Sequence, residues 1–145
     1  MLPETAQPGG PHVLIGGMTA PSLRRVAMLG DGWIPWAVSP QELQDGVARI
    51  RAYGGNRELE LICVMPADIG PHARERYIGV FGEDHKLLSG SVTTVARMVA
   101  EFEAAGVHHL VCSFRDVRLF RDDRIDEINR QMRLFAQEVV PSFAG

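Results

Sequence analysis

Gly16-Gly17-Met18-Thr19 is the run in this sequence best suited to hold a charged ligand. It follows a short apolar stretch, Val13-Leu14-Ile15, and precedes Pro21. Proline is favoured at the first position of a helix, where its missing N–H costs nothing. Two small residues let backbone N–H groups approach a phosphate closely. The helix N-terminus behind them adds a partial positive charge, and the Thr19 hydroxyl is a further donor. The same four residues are also what an ordinary strand-to-helix turn capped by Thr19 requires. The local sequence leaves both readings open.

Three further residues are placed to meet a substrate. Trp36 ends the apolar run Trp33-Ile34-Pro35-Trp36 and could wall a pocket, while Trp33 is expected to pack against helices. His85, beside Lys86, lies in a long irregular segment. Arg115 follows an apolar strand and could pair with an anionic group. It also sits among Asp116, Arg118, Arg121, Asp122, Asp123 and Arg124, the composition of a solvated mixed-charge loop. His72 is a second histidine of the irregular segment. His12, His108 and His109 stand at strand starts and are expected to be structural. No Ser/His/Asp set, P-loop or H-E-x-x-H motif occurs, so no catalytic residue is assigned. Cys63 and Cys112 sit inside apolar runs without C-x-x-C spacing, as small hydrophobes of a reducing compartment do. Neither a disulfide nor a metal site is expected.

The elements that must position these residues alternate regularly. Val13–Ile15 is an expected strand, and a helix from Pro21 towards Gly30 carries Leu23, Val26 and Ala27 on one face. Trp33–Trp36 is the second strand. Ser39-Pro40-Gln41-Glu42 spells a helix start with a capping box, followed by Leu43, Val47 and Ile50 at helical spacing. Leu59–Met65 is continuously apolar, as in strands covered on both faces. Residues 66–89 lack periodicity and read as a functional loop, with a short helix near His72–Tyr77. Ser91 caps a helix whose buried face is Val92, Val95, Val99 and Phe102. His109–Phe114 is the fourth strand. Asp122 or Asp123 caps a last helix with the stripe Ile125, Ile128, Met132, Phe135 and Val139. Strand followed by helix, four times, predicts an α/β fold of parallel βαβ units. It fits a small open sheet or one half of a (β/α)8 barrel, a fold that needs ~250 residues.

Composition narrows the classes. The 145 residues are 46% hydrophobic and 23% charged, with a net charge of −3. That mix supports one globular domain. Residues 1–11, rich in Pro and Gly, are expected to form a flexible lead-in to a unit spanning 12–145. No basic stripe is present, so nucleic acid is not an expected partner. No secretory signal or membrane-length apolar run is seen, which makes a cytoplasmic location the default and a membrane no partner.

The wording of the sequence resembles one family. Val13-Leu14-Ile15-Gly16-Gly17-Met18-Thr19, then Leu23-Arg24-Arg25-Val26-Ala27 and Leu29-Gly30-Asp31-Gly32-Trp33-Ile34-Pro35, is similar to the fifth strand, fifth helix and sixth strand of luciferase-like monooxygenases. Ser89-Gly90-Ser91 with Val95, and Glu103-Ala104-Ala105-Gly106-Val107-His108-His109-Leu110, resemble that family's last crossover. The resemblance covers residues 11–143 and only the second half of the family's barrel. Thr19 stands where the family often has Ser, which keeps the hydroxyl.

The resemblance implies a (β/α)4 half of a TIM-type barrel and an oxidoreductase using FMN or a deazaflavin coenzyme on a small-molecule substrate. It places part of the cofactor's phosphate grip at Gly16, Gly17, Met18 and Thr19. Most of the ring site belongs to the half without a counterpart here, so this chain alone is expected to be incomplete. Its open strand edges would be covered in a longer gene product, by a complementing chain, or in a homo-oligomer. The alternatives are a non-catalytic half-barrel that binds a phosphate-bearing ligand or a partner chain, and an unrelated small α/β binding module.

Overall fold

The computed structural model describes residues 10–55, 57–78, 82–114 and 125–143. Strand β1 (Leu14–Gly16) leads through a tight turn into α1 (Ala20–Leu29), followed by β2 (Gly32–Ile34) and α2 (Pro40–Ala52). The long β3 (Glu60–Ile69) precedes two short strands, β4 (Tyr77–Ile78) and β5 (Asp84–His85), and then β6 (Leu88–Gly90). Helix α3 (Val92–Ala104), strand β7 (His109–Ser113) and helix α4 (Ile125–Leu134) complete the order. A wide turn over Phe135–Val139 and a tight one over Val140–Phe143 end the chain's described part.

The main sheet is parallel throughout. β1 pairs with β2, β2 with β3, and β3 with both β7 and β6. Val64 is the pivot: it is opposite Trp36 on one edge and Val111 on the other. A strand has two edges, so β2 and β7 must flank β3. The four strands β1-β2-β3-β7 therefore follow chain order, as in a barrel wall, without the reversal of an open doubly wound sheet.

Alternation sorts the side chains. Trp33, Leu61, Cys63 and Met65 point to the helical side and are buried with Leu23, Val26, Leu43, Ile50, Val95 and Phe102. Each fully buried aliphatic side chain contributes roughly 1.5–3 kcal/mol. Leu14, Ile34, Ile62, Val64 and Val111 alternate onto the opposite, concave face. Leu14 and Val111 remain 37% and 46% exposed there. Among the described residues, the helices cover the Trp33 side of the sheet.

The helix signals act as expected. Thr19 caps α1 through its side chain, and Pro21 lies in the first turn. In α2, the Ser39 N–H donates to Glu42 Oε2 at 2.7 Å and the Glu42 N–H donates to Ser39 Oγ at 3.2 Å, closing the capping box. These bonds to Ser39 hold the Glu42 carboxyl below its ordinary range, with Lys86 adding to the effect. Ser91 caps α3.

Three expectations need correction. β3 runs to Ile69, beyond Met65, because Ala67–Ile69 find a partner in β6. Residues 72–77 do not form a helix. They form turns leading into an antiparallel pair in which Tyr77 is opposite His85. The stripe of α4 is also shifted. Ile125 and Met132 are 64% and 51% exposed, and it is Gln131 that is buried. A hydrogen-bonding demand at the end of β3 turns that polar residue inward. The expected caps Asp122 and Asp123, and residues 1–9 of the lead-in, lie outside the described residues. Among the described residues no helix is long and apolar enough to cross a membrane.

Candidate functional site

The C-terminal ends of parallel strands are where a barrel carries its site, and the described candidates lie at these ends. Gly17 follows β1 with φ +96, a left-handed conformation that L side chains enter only at a cost. A Cβ there would lie 2.8 Å from Ser22 Oγ. Gly16 is also close to its neighbour: its Cβ would approach the Ile34 carbonyl oxygen at 3.2 Å. The turn is tied to the next strand by the Trp33 indole, whose Nε1–H donates to the Gly17 carbonyl at 3.0 Å. Met18, half-buried, packs against the core.

Thr19 Oγ1 accepts from the Ser22 N–H at 3.4 Å and lies 2.9 Å from Ser22 Oγ. The hydroxyl thus serves as the helix cap. Arg25 Nη2 donates to Ser22 Oγ at 3.4 Å, which brings an exposed guanidinium beside the same turn. Ser22 and Arg25 were not singled out by sequence. Their signal was present: they stand three residues apart in the first turns of α1, and such residues share a helix face.

The substrate-side candidates converge in part. Trp36 lies past the end of β2, 39% exposed, and the Trp36 and His85 rings meet edge to face with centroids 4.4 Å apart. His85 Nε2 lies 3.1 Å from Glu83 Oε1. Ala37, directly after Trp36, has φ +52, the positive-φ non-glycine among the described residues. Its N–H donates to the Val64 carbonyl at 2.8 Å. The left-handed step turns the chain away from the sheet and leaves the Trp36 ring at the rim. Such a conformation costs roughly 1–2 kcal/mol. Arg115 lies outside the described residues.

A polar group at the outer end of β3 was missed. Asp68 is only 8% exposed. It accepts from Arg74 Nε at 2.5 Å and from Gln131 Nε2 at 3.0 Å, while Gln131 Oε1 accepts from the Ile69 N–H at 3.0 Å. Arg130 adds a bond to the Ile69 carbonyl at 3.4 Å. A cleft of ≈ 870 Å³ opens beside this group, between Gly70, Arg74, Ser89, Ser91 and Leu134. The length of the irregular segment hinted at it, but helical spacing in α4 concealed Gln131.

At the opposite ends of the strands, Glu60 lies 3.1 Å from His109 Nε2 and 3.8 Å from His12 Nδ1, and His108 Nδ1 accepts from the Leu61 N–H at 3.0 Å. These histidines tie strand starts together. Among the described residues no group of acidic, histidine and cysteine side chains could hold a metal. Cys63 and Cys112 are free thiols. Burial pushes Cys63 up to about 12, against a lowering bond from the Val38 backbone, and burial pushes Cys112 up to about 11.

Several solved structures have this fold. The chain superposes on a monooxygenase from Streptomyces bottropensis with a TM-score of 0.67 and 19% identity, covering 99% of this chain and 52% of that one. A coenzyme F420-dependent tetrahydromethanopterin reductase from Methanopyrus kandleri gives 0.61 and 15%, covering 91% and 51%. A long-chain alkane monooxygenase gives 0.62 and 14%, covering 92% and 41%. No family model matches the sequence, and no curated protein does. At these identities the likeness defines the fold: a (β/α)4 half of a TIM-type barrel. The chain spans about half the length of the first two of these structures.

Proposed function

We propose that this chain is the phosphate-gripping half of a flavin- or deazaflavin-dependent oxidoreductase that acts on a small organic substrate. The observation that carries this reading is the Gly17 turn, at the C-terminal end of β1 and against the N-terminus of α1. A positive φ and close packing keep that position free of a side chain. The helix end supplies partial positive charge, and Arg25 supplies a full one. These residues fit a cofactor phosphate. Because Thr19 caps the helix and the Gly17 carbonyl is bonded to Trp33, the grip rests on backbone N–H groups and Arg25.

FMN or the deazaflavin coenzyme F420 would supply the two-electron redox chemistry when bound. The monooxygenases and the F420-dependent reductase among the structural neighbours support that choice of chemistry. On the substrate side, Trp36 offers an aromatic wall, and the His85–Glu83 pair offers a place to hold a proton. Arg115 is proposed for an anionic substrate group.

A second reading, a non-catalytic half-barrel holding a phosphate-bearing ligand, is favoured by the openness of the concave face at Leu14 and Val111. Titration of the purified chain with FMN and with F420, followed by fluorescence, tests the proposal. Micromolar binding of either, weakened at least tenfold by Gly17→Ala, is expected. Binding of inorganic phosphate with no response to either cofactor would favour the second reading.

A further inference from the structure

The Trp33 ring is fully buried, and its one polar atom reaches the turn after β1. The indole Nε1–H donates to the Gly17 carbonyl at 3.0 Å. The ring is seated in a notch of α2, where Gly46 has no side chain and a Cβ would lie 2.1 Å from it. The C=O and N–H of a trans peptide point in opposite directions. With the Gly17 oxygen turned to the buried indole, the Met18 N–H points away from it. That N–H meets no hydrogen-bond acceptor among the described residues.

Few other donors remain at this end of α1. Pro21 has no N–H, the Ser22 N–H is taken by Thr19 Oγ1, and the Leu23 N–H is taken by the Thr19 carbonyl. What is left of the orphan donors of a helix start lies before Pro21, in Met18, Thr19 and Ala20. The orientation of the Gly17–Met18 peptide therefore decides whether the turn shows an anion a donor or a carbonyl oxygen. Glycine tolerates the backbone angles on either side of a peptide flip, so Gly17 itself does not fix the choice. The indole does, because a flip would strand its N–H in the core without an acceptor.

We infer that Trp33 is a positioning residue for an anion at this turn. It holds the Gly17–Met18 peptide with the Met18 N–H outward, and loss of the indole N–H weakens the grip on phosphate even where the packing of the ring is kept. A buried indole usually finds some acceptor; here the acceptor belongs to a peptide of the candidate site itself. The inference rests on the cofactor-phosphate reading and adds the residue that sets the geometry of that grip.

The experiment is a titration of the isotopically labelled full chain with inorganic phosphate at constant ionic strength, read at the Met18 amide. Three chains are compared: wild type, Trp33→Phe, and Ile50→Val, which trims a fully buried side chain that has no bond to the turn. Trp33→Phe is expected to shift the Gly17 carbonyl resonance before any ligand is added. It is also expected to weaken phosphate binding about tenfold, the order set by one hydrogen bond to a charged group. Ile50→Val is expected to lower stability and to leave both readouts unchanged, so that lost stability alone does not account for the effect. Phosphate binding by Trp33→Phe equal to that of a wild type that binds would overturn the inference alone. A wild type that does not respond to phosphate would overturn the cofactor reading and the inference together. Should Trp33→Phe fail to fold, the wild-type indole decides, its resonance assigned by its persistence in Trp36→Phe. Hydrogen bonds in a chain polarise one another, so the Trp33 indole N–H should move on addition of phosphate with the same midpoint as the Met18 amide. An indole resonance that stays still while Met18 moves would overturn the inference.

Discussion

The rings of Trp36 and His85 meet edge to face at 4.4 Å, although they stand 49 positions apart in the sequence. One follows β2 and the other belongs to the β4–β5 pair, so this contact fastens the irregular segment to the rim of the sheet. It also divides the two tryptophans by environment. Trp33 is fully buried beneath α2, whereas Trp36 is partly open with one side shielded by imidazole.

Collisional quenching should read that division. Iodide is expected to quench the wild type in part. Trp36→Phe should remove nearly all of the accessible fraction and leave the protected Trp33. His85→Ala should raise the accessible fraction without moving the far-ultraviolet spectrum. If His85→Ala left quenching unchanged, the ring contact would not order the segment in solution.

Gly46 makes a less intuitive prediction. Replacing a glycine in an exposed helix interior with alanine usually stabilises by about 1 kcal/mol. Here the added Cβ would sit 2.1 Å from the Trp33 ring. That overlap with a buried aromatic cannot be relieved by a surface rotamer, and overpacking of this kind costs about 1–3 kcal/mol. The cost exceeds the propensity gain. Gly46→Ala should therefore lower the denaturation midpoint, and thermal unfolding monitored by circular dichroism checks the sign.

The thiols give a pH dependence. In the folded chain Cys63 is raised to about 12 and Cys112 to about 11, from an ordinary value of 9.0, chiefly by burial. A group whose folded pKa is raised contributes stability that is complete below the unfolded value. Above that value the unfolded thiol ionises first, and the contribution is lost as pH climbs towards the folded value. Stability should thus fall between about pH 9 and pH 12, and the fall should be shallower in Cys63→Ala compared at matched temperature below each midpoint. Native-state reaction of both thiols with an aromatic disulfide should be slow at pH 8 and become rapid in denaturant.

Much of the fold could be read from residues whose local chemistry has one dominant outcome. Ser39-Pro40-Gln41-Glu42 forms its capping box, Thr19 and Ser91 cap their helices, and the apolar run at Leu61–Met65 is a central strand. The order of βα units fitted an open sheet and a half-barrel alike, and the family resemblance pointed to the half-barrel. Legibility ended where tertiary context took over. The end of β3 is extended by β6, which local sequence could not announce. Gln131 is buried because Asp68 and the Ile69 N–H require a partner, and that requirement overrides the apolar stripe of α4. At the candidate site, the Gly17 turn could be read from its glycines. The pairing of Trp36 with His85 could not, since it depends on where a hairpin residue 49 positions away folds back. Ala37 gave no signal at all, because alanine rarely enters the left-handed region.

The most direct test of the cofactor assignment is an amide-resolved titration of the isotopically labelled chain with FMN and with F420. The account predicts that either ligand moves the N–H resonances of Gly17, Met18 and Thr19 first and furthest, that Arg25→Gln weakens the shift, and that riboflavin, which lacks the phosphate, leaves these three in place. Shifts confined to other parts of the sheet, or equal shifts with riboflavin, would contradict it.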